Sequence, residues 1–330
     1  MSEHISFPVD AVYTWVNGAD PVWRERKRAA LRSMGNADIH ENAVSDCRFL
    51  DNDELRYSLR SLEKYAPWVR RVYLVTDNQI PEWLDDTTVT LVQHKEIFPS
   101  EAAYPVFSSR PIELCLHRIP SLAEHFLCFN DDFMLGQSVK KEDFFQYDGK
   151  PKLWIVSKKA KKDGFSSLSE EMSPHAAARV RASQLVYNCF GLLYEHRLAH
   201  YPKSMTRSTV YRLWQTFSES ITRTLQSPFR SFEDITITTL YPYYMLATKQ
   251  GVARPINGLW QAWDVLRGRL AHLGASLGDD NFLFKCKMIQ KLHPMTFCLN
   301  DSEKATDRER QQMIACYQKL FPQPSHFEKT

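Results

Sequence analysis

Residues 126–136 read Phe126-Leu127-Cys128-Phe129-Asn130-Asp131-Asp132-Phe133-Met134-Leu135-Gly136. Four apolar residues end abruptly in Asn-Asp-Asp, and the chain then turns apolar again. A run this short reads as a buried strand, because it is too short for a self-contained helix. Two adjacent carboxylates at its mouth repel each other when both are ionised. A positive charge therefore belongs beside them, and a divalent cation held by oxygen ligands meets that need. The competing reading is a polar turn that closes the strand. The choice depends on what the rest of the chain brings to the same edge.

Residues 9–16, rich in β-branched and aromatic types, read as a first buried strand, with Asn17-Gly18-Ala19-Asp20-Pro21 as its turn. A basic helical stretch follows over 22–34, with a solvated face as one reading and membrane-surface contact as the other. After a polar loop over 35–46, Leu55, Leu59 and Leu62 share one face of a helix over 51–65, whose first turn is acidic. The chain then alternates between a strand at 72–76 with polar exit Asp77-Asn78-Gln79, a short helix over Pro81 to Leu84, and a strand at 89–92. Ser108-Ser109 can cap a helix over 107–125 that Pro120 breaks in two. Strands separated by helices predict an α/β fold with a mostly parallel, Rossmann-like sheet. Ligands of such sheets gather outside the carboxyl ends of the strands, and Asn17, Asp77 and Asp131 each lie just past such an end.

Beyond a soft boundary near 150, the second half (151–330) reads as mainly helical, with an irregular stretch over 140–185. In that stretch Lys158, Lys159, Lys161 and Lys162 suggest a mobile loop able to meet an anionic substrate, or simply a solvated charge run. An apolar segment over 279–299 ends in Cys298-Leu299-Asn300-Asp301, echoing the Asn-Asp of the opening stretch.

The chain of 330 residues is 43% hydrophobic and 25% charged, and its net charge of +3 does not argue for a nucleic-acid partner. Seven cysteines without a Cys-x-x-Cys favour a reducing compartment over a disulfide framework or a zinc site. No secretory-type start and no apolar run of about 18 residues is present, so a cytoplasmic protein is expected.

Two further clusters carry chemistry. His200-Tyr201-Pro202-Lys203-Ser204-Met205-Thr206-Arg207 sets an imidazole, an ammonium and a guanidinium beside a proline; Arg230 lies in a second cluster ending at Asp234. A lone histidine is more often a structural hydrogen-bonder than a catalyst. Histidine nevertheless titrates near neutrality, and arginine carries the fork that grips phosphate oxygens. Acidic metal ligands, a base and an arginine are together the components of phosphoryl transfer.

At this point the sequence resembles a known family. Asp10 to Gly18 is similar to the first signature of the Stealth sugar-phosphate transferases, which include bacterial capsular polysaccharide phosphotransferases and the catalytic core of lysosomal-enzyme N-acetylglucosamine-1-phosphotransferase. Arg48 to Gly136 resembles the second signature, His200 to Asp234 the third and Cys298 to Asp301 the short fourth, in family order. The resemblance implies a glycosyltransferase-A-like core in which 1–150 binds nucleotide-sugar and metal, and 151–330 completes one integrated catalytic unit. It implies that Asp131 and Asp132 bind a divalent metal, Mg²⁺ or Mn²⁺. It further implies that Trp15, Asn17, Gly18, Asn78, Gln79, Ser108 and Arg207 serve the nucleotide or substrate, and that His200, Arg230 and Asp301 are catalytic. The expected reaction moves a hexose-1-phosphate, an N-acetylhexosamine-1-phosphate by preference, from a UDP-sugar donor to a saccharide or capsular polymer acceptor with release of UMP. Peripheral association with a membrane capsule-assembly complex at the inner face of the bacterial membrane fits that role, and the chain's length implies no appended acceptor-recognition module. The rival readings are an ordinary metal-dependent glycosyltransferase that releases UDP, and a non-catalytic module that binds nucleotide-sugar or polysaccharide.

Overall fold

The computed structural model describes residues 4–35, 44–159, 168–169, 172–192, 196–256 and 258–329. Its centre is a five-stranded sheet in the order β3-β2-β1-β4-β8, built from Val9–Thr14 (β1), Val72–Thr76 (β2), Thr90–Gln93 (β3), His125–Asn130 (β4) and Lys203–Thr206 (β8). The first four are parallel and β8 is an antiparallel edge. The near-continuous apolar runs of β1, β2 and β4 follow from burial on both faces. Val12, Tyr73, Phe126 and Cys128 enter one core, while Ala11, Tyr13, Leu74, Leu127 and Phe129 enter the other.

The helices that cover these faces begin with Pro21–Ser33 (α1) and Glu54–Tyr65 (α2). Ser109–Cys115 (α3), Pro174–Phe190 (α4), Arg207–Thr216 (α5), Ser218–Leu225 (α6) and Ile237–Ala247 (α7) follow. Gly258–Leu266 (α8), Phe282–Leu292 (α9) and Asp307–Leu320 (α10) complete the helical set used below.

The second half is largely helical as expected, but it also carries strands. Lys152–Lys159 (β6), His196–Leu198 (β7) and Val252–Pro255 (β9) form one three-stranded sheet; Phe133–Leu135 (β5), His272–Ser276 (β10) and Thr296–Asn300 (β11) form another. Because β8 joins β4 and β5 pairs with β11, two sheets are shared across position 150.

Three local expectations are corrected. Pro81 to Leu84 forms a turn and an isolated bridge from Leu84 to Glu328 instead of a helix. The helix expected over 107–125 is confined to α3 and one tight turn at Leu116–Arg118, and no helix resumes after Pro120. The irregular stretch over 140–185 contains β6 and the 17-residue α4. That helix is capped by Ser173 and led by Pro174, but its buried face is built mostly from small residues, Ala177, Ala178, Ala182 and Ser183, so its hydrophobic periodicity is faint in sequence. The side chains of Lys158 to Lys162 lie outside the described residues.

Gly18 closes the β1 exit. Its N–H donates to the Phe49 carbonyl at 2.7 Å, and a Cβ placed there would be driven into the Phe49 Cβ and carbonyl oxygen. Gly18→Ala is therefore expected to cost about 1–3 kcal/mol through overpacking against backbone that cannot retreat. A shift of the urea midpoint at unchanged slope would register it; an unmoved midpoint would mean that the turn relaxes freely.

Candidate active site

The opening stretch sits where the chain changes sheet. Strand β4 ends at Asn130, Asp131 and Asp132 form a two-residue turn, and Phe133 begins β5 in the second sheet. The antiparallel partner of β5 is β11, with Cys298 opposite Phe133, so Cys298 and Asn300 come to the same corner. Strand β8 runs antiparallel to β4 with Lys203 opposite Cys128, and continuing that register backwards carries His200 towards Asp131. Sheet geometry, not sequence proximity, therefore assembles the corner.

The corner opens into a cavity of about 920 Å³ whose walls include Asp131, Asp132, His200, Arg230 and Asp301. Its acidic pole gathers Asp131, Asp132 and Glu54, whereas Glu113 lies among Arg230, Arg110 and Lys203. Burial, then Asp132 and Glu54, push the Asp131 carboxyl well above its ordinary pKa. Burial likewise raises Asp132, and it raises Glu54 to about 7 against the lowering bonds from Asn52. The Asp132 Oδ2 accepts from the Cys298 thiol at 3.0 Å, whereas its Oδ1 is buried with no hydrogen-bond partner. A crowd of carboxylates with an orphaned oxygen is what a cation would satisfy.

Asp132, His200 and Cys298 place one ligand atom each within 4.8 Å of one another. The Cys298 thiol donates to Asp132, and burial and that carboxylate push its pKa well above the usual thiol range, so the thiol is neutral beside the carboxylates. The remaining oxygen-rich donors of Asp131 and Asp132 fit a hard divalent ion.

His200 borders the cavity, its ring meeting Phe133 edge-on at 4.7 Å and its Nδ1 lying 3.4 Å from the Cys298 sulfur. Removal from bulk water, and then the Lys203 charge, lower its pKa, so the imidazole is neutral at pH 7. Lys203 is itself buried; its Nζ donates to the Ala199 carbonyl and pins the backbone ahead of His200.

The opposite wall is basic. The Phe107 N–H donates to the Pro228 carbonyl, and the Arg110 guanidinium donates to Ser231 O and Asp234 Oδ2. These bonds hold the loop between α6 and α7 against α3 and set Arg230 in the cavity wall. Burial and the neighbouring Arg48 and Arg110 lower the Arg230 pKa to about 10, so it keeps its charge despite the crowding.

Other expected site residues are placed differently. Asp301 lines the cavity, but both of its oxygens are engaged: Oδ2 accepts from Arg310 Nε and Asn52 Nδ2, and Oδ1 accepts from Ser302 N and Arg310 Nη2. That network fixes the cavity rim to α10 and presents no free carboxylate oxygen. Gln79 clamps the Asn17 backbone and Asp20, and Trp15 Nε1 donates to Asp51 Oδ2. Ser108 caps α3, and Asn78 is exposed in a left-handed conformation at φ 59°. Together with Gly18, these five residues brace the strand exits and stand outside the cavity lining. Arg207 lies at the far end of the sheet, where its N–H donates to the Glu124 carbonyl and its Nε to the His117 carbonyl.

Among the cavity residues without an assigned role in the sequence reading are Glu54, Glu113, Arg48 and Cys298, all within the stretches quoted for the family signatures, and also His175 and Arg179. The last two are four apart on α4 and share a helix face, a signal hidden once that segment is read as irregular.

Comparison with known proteins bears on this geometry. Stealth protein CR1, conserved region 1, matches residues 7–35; conserved region 2 matches 48–153 and conserved region 3 matches 199–247. The chain is 36% identical over 335 residues to exopolysaccharide phosphotransferase SCO6023 of Streptomyces coelicolor, covering 100% of this chain and 54% of that protein. It is 33% identical over 301 residues to capsular polysaccharide phosphotransferase LcbA of Aeromonas hydrophila, covering 90% of this chain and 80% of that one. The chain thus spans about half the length of its Streptomyces relative and most of the Aeromonas protein. A crystal structure of the glycosyltransferase GlyE of Streptococcus pneumoniae aligns at a TM-score of 0.39 and 10% identity, over 96% of this chain and 62% of that one. The fold assignment rests on the strand order and not on that likeness.

Proposed function

The chain belongs to the Stealth family, and from that premise we propose that it is a polysaccharide phosphotransferase, moving a hexose-1-phosphate from a UDP-sugar to a saccharide hydroxyl with release of UMP. An N-acetylhexosamine-1-phosphate is the expected unit, and a capsular or exopolysaccharide chain the expected acceptor. The observation that carries this reading is the two-poled cavity: paired carboxylates and a neutral histidine share one space with a charged arginine. In the proposed step His200 accepts the proton of the acceptor hydroxyl. The oxygen then forms a bond to the β-phosphorus, and the bond from that phosphorus to the oxygen bridging the two phosphates breaks, leaving UMP. Arg230 meets the phosphate oxygens as charge shifts between them. A divalent cation, Mg²⁺ or Mn²⁺, held by Asp131 and Asp132 would supply further charge neutralisation there.

The His200 pKa, lowered by burial and by Lys203, is low for a base. Bound phosphate brings negative charge close to the imidazole and raises it towards the working range. Asp301, through Arg310 and Asn52, holds the rim that carries Asn300 and acts as a positioning residue. The Asn17 and Asn78 exits, braced by Trp15, Gly18 and Gln79, would receive the nucleotide side of the donor. No helix among the described residues is long and apolar enough to cross a membrane. A cytoplasmic site beside a membrane-bound capsule-assembly complex is the proposed location.

Product analysis tests the proposal. A panel of UDP-sugars incubated with glycan acceptors and Mg²⁺ or Mn²⁺ is expected to yield UMP and a phosphodiester-linked product. Release of UDP would instead identify a sugar-transferring enzyme, and tight UDP-sugar binding without turnover on any acceptor would identify a binding module.

A further inference from the structure

Lys203 is a charge in an expensive place. It is 7% exposed and lines the cavity, and a buried ammonium costs free energy that an apolar chain of the same length would not. What it meets there is a socket. The Nζ donates to the Ala199 carbonyl and lies 3.9 Å from the centre of the Tyr201 ring. Tyr201 stacks in turn on Trp154, with ring centres 4.8 Å apart and planes 10° apart, and the Arg254 guanidinium lies over the same Trp154. Backbone groups close the assembly: the Ala199 N–H donates to the Trp154 carbonyl at 3.1 Å, and the Trp154 N–H donates to the Tyr201 hydroxyl at 2.7 Å.

Residues 199 and 201 are therefore fixed on both sides of His200, while the imidazole itself is lightly held. Among the described residues its Nδ1 meets only the Cys298 sulfur at 3.4 Å and the Asn300 Nδ2 at 3.5 Å, and its ring touches Phe133 edge-on. A base has to stand within hydrogen-bond reach of the proton it takes. With so little to orient the ring, its aim is set by the backbone that carries it. That backbone is set by Lys203, Tyr201 and Trp154.

We propose that Lys203 is a positioning residue for the transfer step: its ammonium, clamped between the Ala199 carbonyl and the Tyr201 ring, fixes the turn that carries His200 and so aims the imidazole at the acceptor hydroxyl. This rests on His200 acting as the base. Lys203 acts through that turn and not on the phosphate. The stack of Tyr201 on Trp154 ties the turn to β6, so the aim of the base is anchored in the small sheet of the second half.

Lys203→Met keeps the length of the side chain and removes the ammonium. In assays of UMP release it is expected to lower kcat by about 10- to 100-fold with the KM for the UDP-sugar nearly unchanged, the scale of a misplacement near 1 Å. In a His200→Ala background the same substitution should cost less than about twofold, because the group it positions is gone. Propylammonium, the part of the side chain that Lys203→Ala removes, should restore part of kcat, and propanol should not. Hydrogen exchange of the protein without substrate reads the clamp independently of catalysis. Exchange in a peptide spanning 197–202 should quicken several-fold in Lys203→Met while β1 and β4 stay as slow as in the parent. Unchanged exchange over 197–202 would overturn the proposal, and so would exchange that quickens equally in β1 and β4, which marks a purely structural lysine. A full loss of kcat from Lys203→Met in the His200→Ala background would overturn it too, by assigning the ammonium to the substrate. If His200→Ala alone turns over normally, the base reading fails, and the exchange result then decides the clamp by itself.

Discussion

Asp132→Asn is expected to lower kcat by roughly 100-fold or more while leaving the unfolding temperature equal to or above that of the parent. The two halves of this expectation come from one observation. The Asp132 Oδ1 is buried without a partner, beside Asp131 and within the same acidic pole as Glu54, and burial lifts its pKa. Without a cation beside it that carboxylate is a cost, since a buried charge without compensation destabilises the fold. An amide of the same shape removes the repulsion while still accepting from the Cys298 thiol. In the loaded enzyme the same charge is an asset, because it would hold the cation that meets phosphate oxygens, and loss of one preorganised electrostatic contact costs about 10²–10³ in rate. Steady-state turnover, scanning calorimetry in EDTA and Mn²⁺ titration read the three consequences. Normal turnover with normal Mn²⁺ affinity would remove Asp132 from the site.

His200→Ala is expected to reduce kcat by about 10²–10⁴, the usual contribution of a general base, with little change in the KM for the nucleotide-sugar. The ring borders the cavity and touches Phe133 only edge-on, so its loss should leave the core intact. A purely structural histidine would give a different pattern, with a lower melting temperature and a loss of rate that follows the loss of fold. Exogenous imidazole offers a sharper test, since the truncated side chain leaves room in a cavity of about 920 Å³. Partial rescue, rising with the neutral imidazole fraction, is the expected result. A variant that turns over normally would show that another group takes the proton.

Much of the site was legible because its parts are strand ends. The run Phe126 to Phe129 could only be a short buried strand, and Asn130-Asp131-Asp132 had to follow it at a carboxyl edge, where α/β sheets bind ligands. His200 and Arg230 were legible as chemistry but not as neighbours. What brings His200 to Asp131 is the antiparallel register of β8 on β4, which no local pattern in residues 200–206 states. The same register carries Arg207 to the opposite end of the sheet, although in sequence it lies only seven residues from His200. Asp301 shows the reverse difficulty: its motif suggests a free carboxylate, whereas Arg310, nine positions on, occupies it.

The amino-acid sequence by itself determined the strand-and-helix alternation, the mostly parallel sheet and the Asp131-Asp132 pair at its edge. Those features follow from local hydrophobic patterning and from charge adjacency, both of which survive in one dimension. Only the tertiary structure decided which residues meet across the cavity. The Asp131-Asp132 turn lies where β4 leaves one sheet and β5 enters another, so its neighbours come from β11, from the backbone ahead of β8 and from α2. It also decided that the arginines of α3, α4 and the loop before α7 face one another across a single cavity. Long-range pairing and the packing of small-residue helix faces set those meetings, and neither leaves a periodic trace along the chain.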